Sequence, residues 1–178
     1  MSDVLLSDLD QPDAPTHWRG FSDRVMGGIS QEQVTVETIA GQRCLRLRGE
    51  VRLEHQGGFV QLALPLEQHG RPLDACACRG VRLLVWGNGE EYRLHLRTTA
   101  CRRPQQYYWA PFVAAPSWQP IELPFAAFQP KWLDAPLDPG TLTRLGVVAY
   151  GRRFQADVAI ARVWLFGCAA GWPTPPAH

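Results

Sequence analysis

The residues whose types and spacing could do chemistry are few, and the densest group is Phe21-Ser22-Asp23-Arg24-Val25-Met26-Gly27-Gly28-Ile29-Ser30. Asp23 offers a fixed acceptor and Arg24 a fork of donors, a pair that could receive a ligand or a partner. Asp is also the residue that turns use to satisfy their own backbone amides, so Asp23 could instead be turned inward. Met26 is a soft, adaptable side chain that suits an interaction surface or a plug in the core equally well. Gly27 and Gly28 fit a backbone that needs positive φ or close approach, so the stretch reads as a rigid loop pinned to a scaffold.

A second group sits on one strand parity, where Arg97 falls with Arg93 and His95; Tyr108 and Trp109 follow and are expected to face the same sheet. Rings stack on apolar faces while Arg and His supply hydrogen bonds, so Arg97, Tyr108 and Trp109 form a candidate sugar or peptide platform. Solvated strand surface is the plainer reading. Cys76-Ala77-Cys78 with Cys101 suggests a metal site, but a tetrahedral zinc needs four ligands and no second short-spaced pair exists. No metal or cofactor is expected. Cys101 with His95 as nucleophile and base is the kind of pair that scattered cysteines and histidines offer by chance. Glu50, Glu54, Glu90 and Glu91 are the acids available for glycoside hydrolysis, and their places on a polar strand face and in a turn are those of ordinary solvated charge. No glycine-rich phosphate loop opens a helix, so nucleotide chemistry has no support.

The elements that must position these residues are strands. Period-two alternation is clearest from Cys44 to Glu54, with Leu45, Leu47, Val51 and Leu53 on one face and Arg46, Arg48, Glu50, Arg52 and Glu54 on the other. Gly49 falls on the inward parity, which predicts a bend, a bulge or a tight turn there. Similar segments are Val4–Leu6, Gln33–Thr38, Phe59–Leu66, Tyr107–Val113, Gln119–Leu123, Leu145–Tyr150 and Phe154–Phe166. Val81 to Val85 and Tyr92 to Leu96 flank Gly87-Asn88-Gly89 and read as a hairpin. Pro124 to Phe128 reads as one helical turn with Pro at its start, and Asp138 to Leu142 as another short turn. About eight to ten short strands divided by Gly and Pro call for an all-β fold, a sandwich or barrel.

With 178 residues and 46% hydrophobic content the chain can bury a sizeable core, expected as one domain over residues 1–168 with a loose tail at 169–178. The 18 basic and 17 acidic residues nearly cancel and no like-charge run occurs, so the field that gathers nucleic acid is missing. No stretch approaches the roughly 20 apolar residues of a membrane span, which excludes an integral helical membrane protein. The first residues lack the pattern of an export signal. The 5 cysteines, odd in number and irregularly spaced, fit a reducing cytoplasm better than a secreted disulfide framework.

Read in order, the chain resembles the complex I intermediate-associated protein 30 family. The resemblance rests on Trp18; Ser22-Asp23-Arg24-Val25-Met26-Gly27-Gly28-Ile29-Ser30; Gly57-Gly58-Phe59; Gly87-Asn88-Gly89 with Tyr92; and Leu96-Arg97-Thr98. It continues through Tyr108-Trp109-Ala110-Pro111-Phe112, Trp118, Leu123-Pro124-Phe125 with Phe128, and Leu145-Gly146. It implies a jelly-roll β-sandwich of two antiparallel sheets, galactose-binding-domain-like. It also implies a non-catalytic module that binds a protein partner, with respiratory complex I subunits the expected class. Asn88 stands where the family has Asp, Lys131-Trp132 replaces an Arg-Gly segment, and Tyr150-Gly151-Arg152-Arg153 replaces an acidic one. A partner surface built from those loops is therefore not carried over, and a carbohydrate or small-ligand domain using the face around Arg97 and Tyr108 is the alternative.

Overall fold

The computed structural model describes residues 1–171. Twelve strands run through them: β1 (Ser2–Asp8), β2 (Arg19–Ser22), β3 (Gln33–Ile39), β4 (Gln42–Val51), β5 (Phe59–Pro65), β6 (Gly80–Gly87), β7 (Glu91–Thr98), β8 (Tyr107–Val113), β9 (Gln119–Pro124), β10 (Gln129–Lys131), β11 (Leu142–Tyr150) and β12 (Phe154–Cys168). The helical segments among the described residues are short 3-10 turns, including Asp23–Met26 before β3, Phe125–Ala127 after β9 and Pro139–Thr141 before β11. No helix among the described residues is long and apolar enough to cross a membrane.

Two antiparallel sheets face each other. The first runs β3-β4-β12-β6-β9, with β1 also paired to β12, and the second runs β10-β8-β7-β11-β5-β2. β12, 15 residues long, serves two neighbours on one side, while its pairing with β6 on the other side shifts register between Ile160 and Arg162. Its first half pairs with β4 and its second half with β1.

Alternation puts one face of each strand in the core. Leu45, Leu47 and Val51 from β4 meet Val60, Leu62 and Leu64 from β5, Leu94 and Leu96 from β7, and Leu145 and Val147 from β11. Each fully buried side chain of this size contributes roughly 1.5–3 kcal/mol relative to its exposed form. This packing is what makes the second sheet a firm platform, with its other face free for a site.

Gly49 does not bend its strand. β4 pairs without interruption through Ala156↔Gly49, and a side chain at Gly49 would strike the backbone carbonyl of Gln31. The glycine admits a crossing chain. The cysteines also depart from expectation, for Cys78 and Cys168 form a disulfide across 90 residues of sequence. Cys78 lies just before β6 and Cys168 ends β12, and the pairing Phe166↔Gly80 carries both to one end of the sheet. Cys44, Cys76 and Cys101 are free thiols. Of the expected tail, Ala169 donates its amide to Ala77, and residues 172–178 lie outside the described residues.

Candidate functional site

A groove of about 890 Å³ lies on the outer face of the second sheet. Its floor comes from side chains that β7, β11 and β5 turn away from the core: His95 and Arg97, then Arg144, Gly146, Val148 and Tyr150, then Phe59 and Gln61. Tyr107 of β8 and Phe21 of β2 extend the floor to either side. His95 stacks on Tyr107 at 4.0 Å between ring centroids and 13° between planes, and Phe21 meets Phe59 edge to face at 6.0 Å. Gly146, opposite His95 in the ladder, keeps the middle low, because a side chain there would displace the Gln61 amide.

One wall is the loop after β2, and Asp23 builds it. Asp23 is fully buried and accepts from the Ser30 amide (2.9 Å), the Ser30 hydroxyl, and the amides of Gly58 and Phe59. Burial works against its charge, yet the hydrogen bonds from the Ser30 side chain, Gly58, Phe59 and the Ser30 amide outweigh it and hold its carboxyl below the ordinary value. A side chain at Gly28 would collide with this carboxylate, and one at Gly57 would approach within 2.6 Å of it. Gly27, at φ 85°, turns the chain back. The outcome is a 3-10 turn that sets Val25 and Met26 on the groove's rim, 70% and 63% exposed. Arg24 is exposed beside it and does not line the groove.

The opposite wall is held in the same manner. Arg97 donates from Nη1 to the carbonyls of Arg103, Pro104 and Gln106 and from Nη2 to that of Cys101. The loop so gathered presents Pro104 and Gln105. Gln106 reaches from it to the carbonyl of Trp132 at 3.1 Å, and Trp132, at φ 62° and 70% exposed, completes the rim.

Of the residues read as a binding group, Met26 reaches the groove directly and Arg97 reaches it as a strut. Asp23, Gly27 and Gly28 shape its wall from behind. Tyr108 is corrected: successive strand residues point to opposite faces, and the inward parity that buries Ala110 and Phe112 buries Tyr108 completely. Its hydroxyl donates to the carbonyl of Ala135 at 2.8 Å. Trp109 does face outward, where the Arg93 guanidinium covers its ring at 4.0 Å, but it lies beyond the groove. Sequence reasoning missed Tyr107, Arg144 and Tyr150, whose parity on β8 and β11 could have found them, and Trp132, for which the sequence carries no signal. Asn88 is structural: it accepts from the Tyr92 hydroxyl (2.7 Å) and donates to the Gln155 carbonyl. No group of three or more His, Cys, Asp or Glu among the described residues could hold a metal.

The electrostatics of the floor are one-sided. Burial, aided by Arg93 and Arg144, pushes the His95 imidazole down to about 3, so it is neutral at ordinary pH. Burial and then the charge of Arg97 lower the Arg144 guanidinium from its usual value. Burial and the neighbouring Tyr150 hydroxyl raise the Tyr107 phenol. Among the described residues no Asp or Glu lines the groove.

The family profile of complex I intermediate-associated protein 30 (CIA30) matches residues 7–155. The chain belongs to this family. No curated protein matches it in sequence. Among solved structures the CIA30 chain is similar to the family 11 carbohydrate-binding module of a cellulosomal cellulase of Clostridium thermocellum, with TM-score 0.75, 13% identity, and 94% and 96% of the two chains covered. A structure of the Clostridium thermocellum family 11 module in complex with a β-1,3-1,4-mixed-linked tetrasaccharide matches with TM-score 0.74 and 14% identity over 94% and 97%. A family 30 carbohydrate-binding module matches with TM-score 0.59 and 16% identity over 98% and 93%. At such identities the likeness is one of fold, and it agrees with the jelly-roll sandwich that the CIA30 resemblance implies.

Proposed function

We propose that this CIA30 chain is a non-catalytic binding module whose groove holds an extended saccharide. The observation that carries the reading is the groove itself, where the rings of Tyr107, Tyr150, Phe21, Phe59 and Trp132 surround the side chains of Arg144 and Gln61. Rings cover the apolar faces of sugar units while convergent donors take their hydroxyls. A lining free of carboxylates offers no pair for cleaving a glycosidic bond. The same fold holds a tetrasaccharide in a family 11 module, which fits the reading without deciding it.

The test is a glycan array probed with the wild-type protein and with Tyr107→Ala. At least one oligosaccharide is expected to retain the wild type, and the variant is expected to lose about tenfold or more in affinity, in keeping with a stacked ring. Retention by no glycan would sink this reading.

A second reading has its own observation. Val25, Met26 and Ile29 are exposed apolar side chains on one loop, a surface suited to a protein partner. The family description points to a partner in complex I maturation. In that reading Met26→Asp abolishes capture of the partner while saccharide binding does not occur.

A further inference from the structure

We infer that the saccharide carries carboxylates, as a uronate chain does, and that Arg144 binds one of them; this rests on the saccharide reading of the groove. Arg144 and Arg97 stand directly opposite each other in the β7–β11 ladder, both on the groove floor. Like charges so placed repel. The usual remedy is an acid between them, and among the described residues none lines the groove. Arg97 spends its Nη donors on four backbone carbonyls.

Arg144 has no such outlet. Among the described residues no hydrogen bond or ion pair engages its guanidinium, which lies over the Phe21 ring at 5.4 Å. Elsewhere the arginines of this protein find carboxylates readily: Arg46 takes Asp157 and Glu37, Arg82 takes Asp3 and Glu122, and Arg152 takes Glu90. A half-buried cation kept free on a concave floor is pre-organised for an incoming anion.

The planar fork of Arg matches a carboxylate with two parallel hydrogen bonds. The phenyl ring of Phe21 beneath the guanidinium holds it in place while leaving its donors free. Neutral His95 adds no charge at ordinary pH, and its buried Nε2 has no partner. The floor therefore recognises an anion through arginine alone, and recognition should not depend on pH between about 5 and 8, where carboxylates are ionised and arginine is charged.

The experiment titrates the full chain by calorimetry with three probes: tetragalacturonate, its fully methyl-esterified form, and the neutral β-1,3-1,4-mixed-linked tetrasaccharide. An alginate oligomer serves as a second uronate. A uronate is expected to bind at least tenfold more tightly than the ester or the neutral probe. Arg144→Gln is expected to erase that difference while leaving thermal stability equal or higher, since the Arg97 repulsion is relieved. A neutral probe that binds as tightly as the uronates would overturn the inference and leave the saccharide reading standing. Binding of none of them, with an empty glycan array, would remove both. Wild-type affinity for the uronate in Arg144→Gln would also overturn it, because the carboxylate would then be held elsewhere.

Discussion

Asp23 is the residue on which the site depends without being part of it. Its carboxylate gathers three backbone amides and a hydroxyl from two separate turns, and the lone pairs of its two oxygens suffice for all four. Asp23→Ala leaves those buried amides unpaired, and a loss of about 3 kcal/mol is expected from chemical denaturation. A change under about 0.5 kcal/mol, the range of ordinary surface substitutions, would show that the cage is not formed. The pH dependence follows from the lowered pKa. A carboxyl more acidic in the folded than in the unfolded state stabilises fully above its unfolded value, about pH 4, and that contribution fades as pH falls through the folded value. The wild type should therefore lose stability below about pH 4 more steeply than Asp23→Ala does.

The elements were legible in the sequence to the extent that alternation decided them. β4, with Leu45 and Leu47 inward against Arg46 and Arg48, could be read directly, as could the strands β7 and β12, but the hairpin read across Gly87-Asn88-Gly89 is not formed, because β6 and β7 lie in different sheets. β2 and β10 could not. They are short edge strands, Arg19–Ser22 and Gln129–Lys131, whose pairing comes from neighbours far along the chain and leaves no period behind. The site was half legible for a related reason. The sequence marks residues of unusual type, so Asp23, Arg97 and Tyr108 stood out, and the structure uses all three to fasten loops. The residues that face the groove are ordinary outward positions, which parity alone could assign, or Trp132, brought in by a loop. Arg97→Ala is the test at this scale. Without its bonds to the carbonyls of Cys101, Arg103, Pro104 and Gln106, the loop over residues 99–106 should exchange its amide hydrogens faster, while β11 and β5 keep their protection. Unchanged exchange in the loop would mean that Arg97 does not hold the wall.

For the whole molecule, the two sheets divide the labour. The first sheet carries its outward charges in pairs, with Arg46, Glu37 and Asp157 joined across β4, β3 and β12, and reads as a solvated back. The second sheet keeps a free arginine, a neutral histidine and a set of rings on its outward face. A CIA30 chain built this way is a platform with one prepared side. The direct measurement is amide chemical-shift mapping of the labelled protein during titration with the tightest-binding oligosaccharide from the array. The account predicts that the largest changes fall on Arg97, Tyr107, Arg144, Gly146 and Tyr150 and on the Val25–Met26 rim, with β3 and β4 silent. Changes centred on the first sheet, or confined to Val25 and Met26 with the floor unmoved, would contradict it.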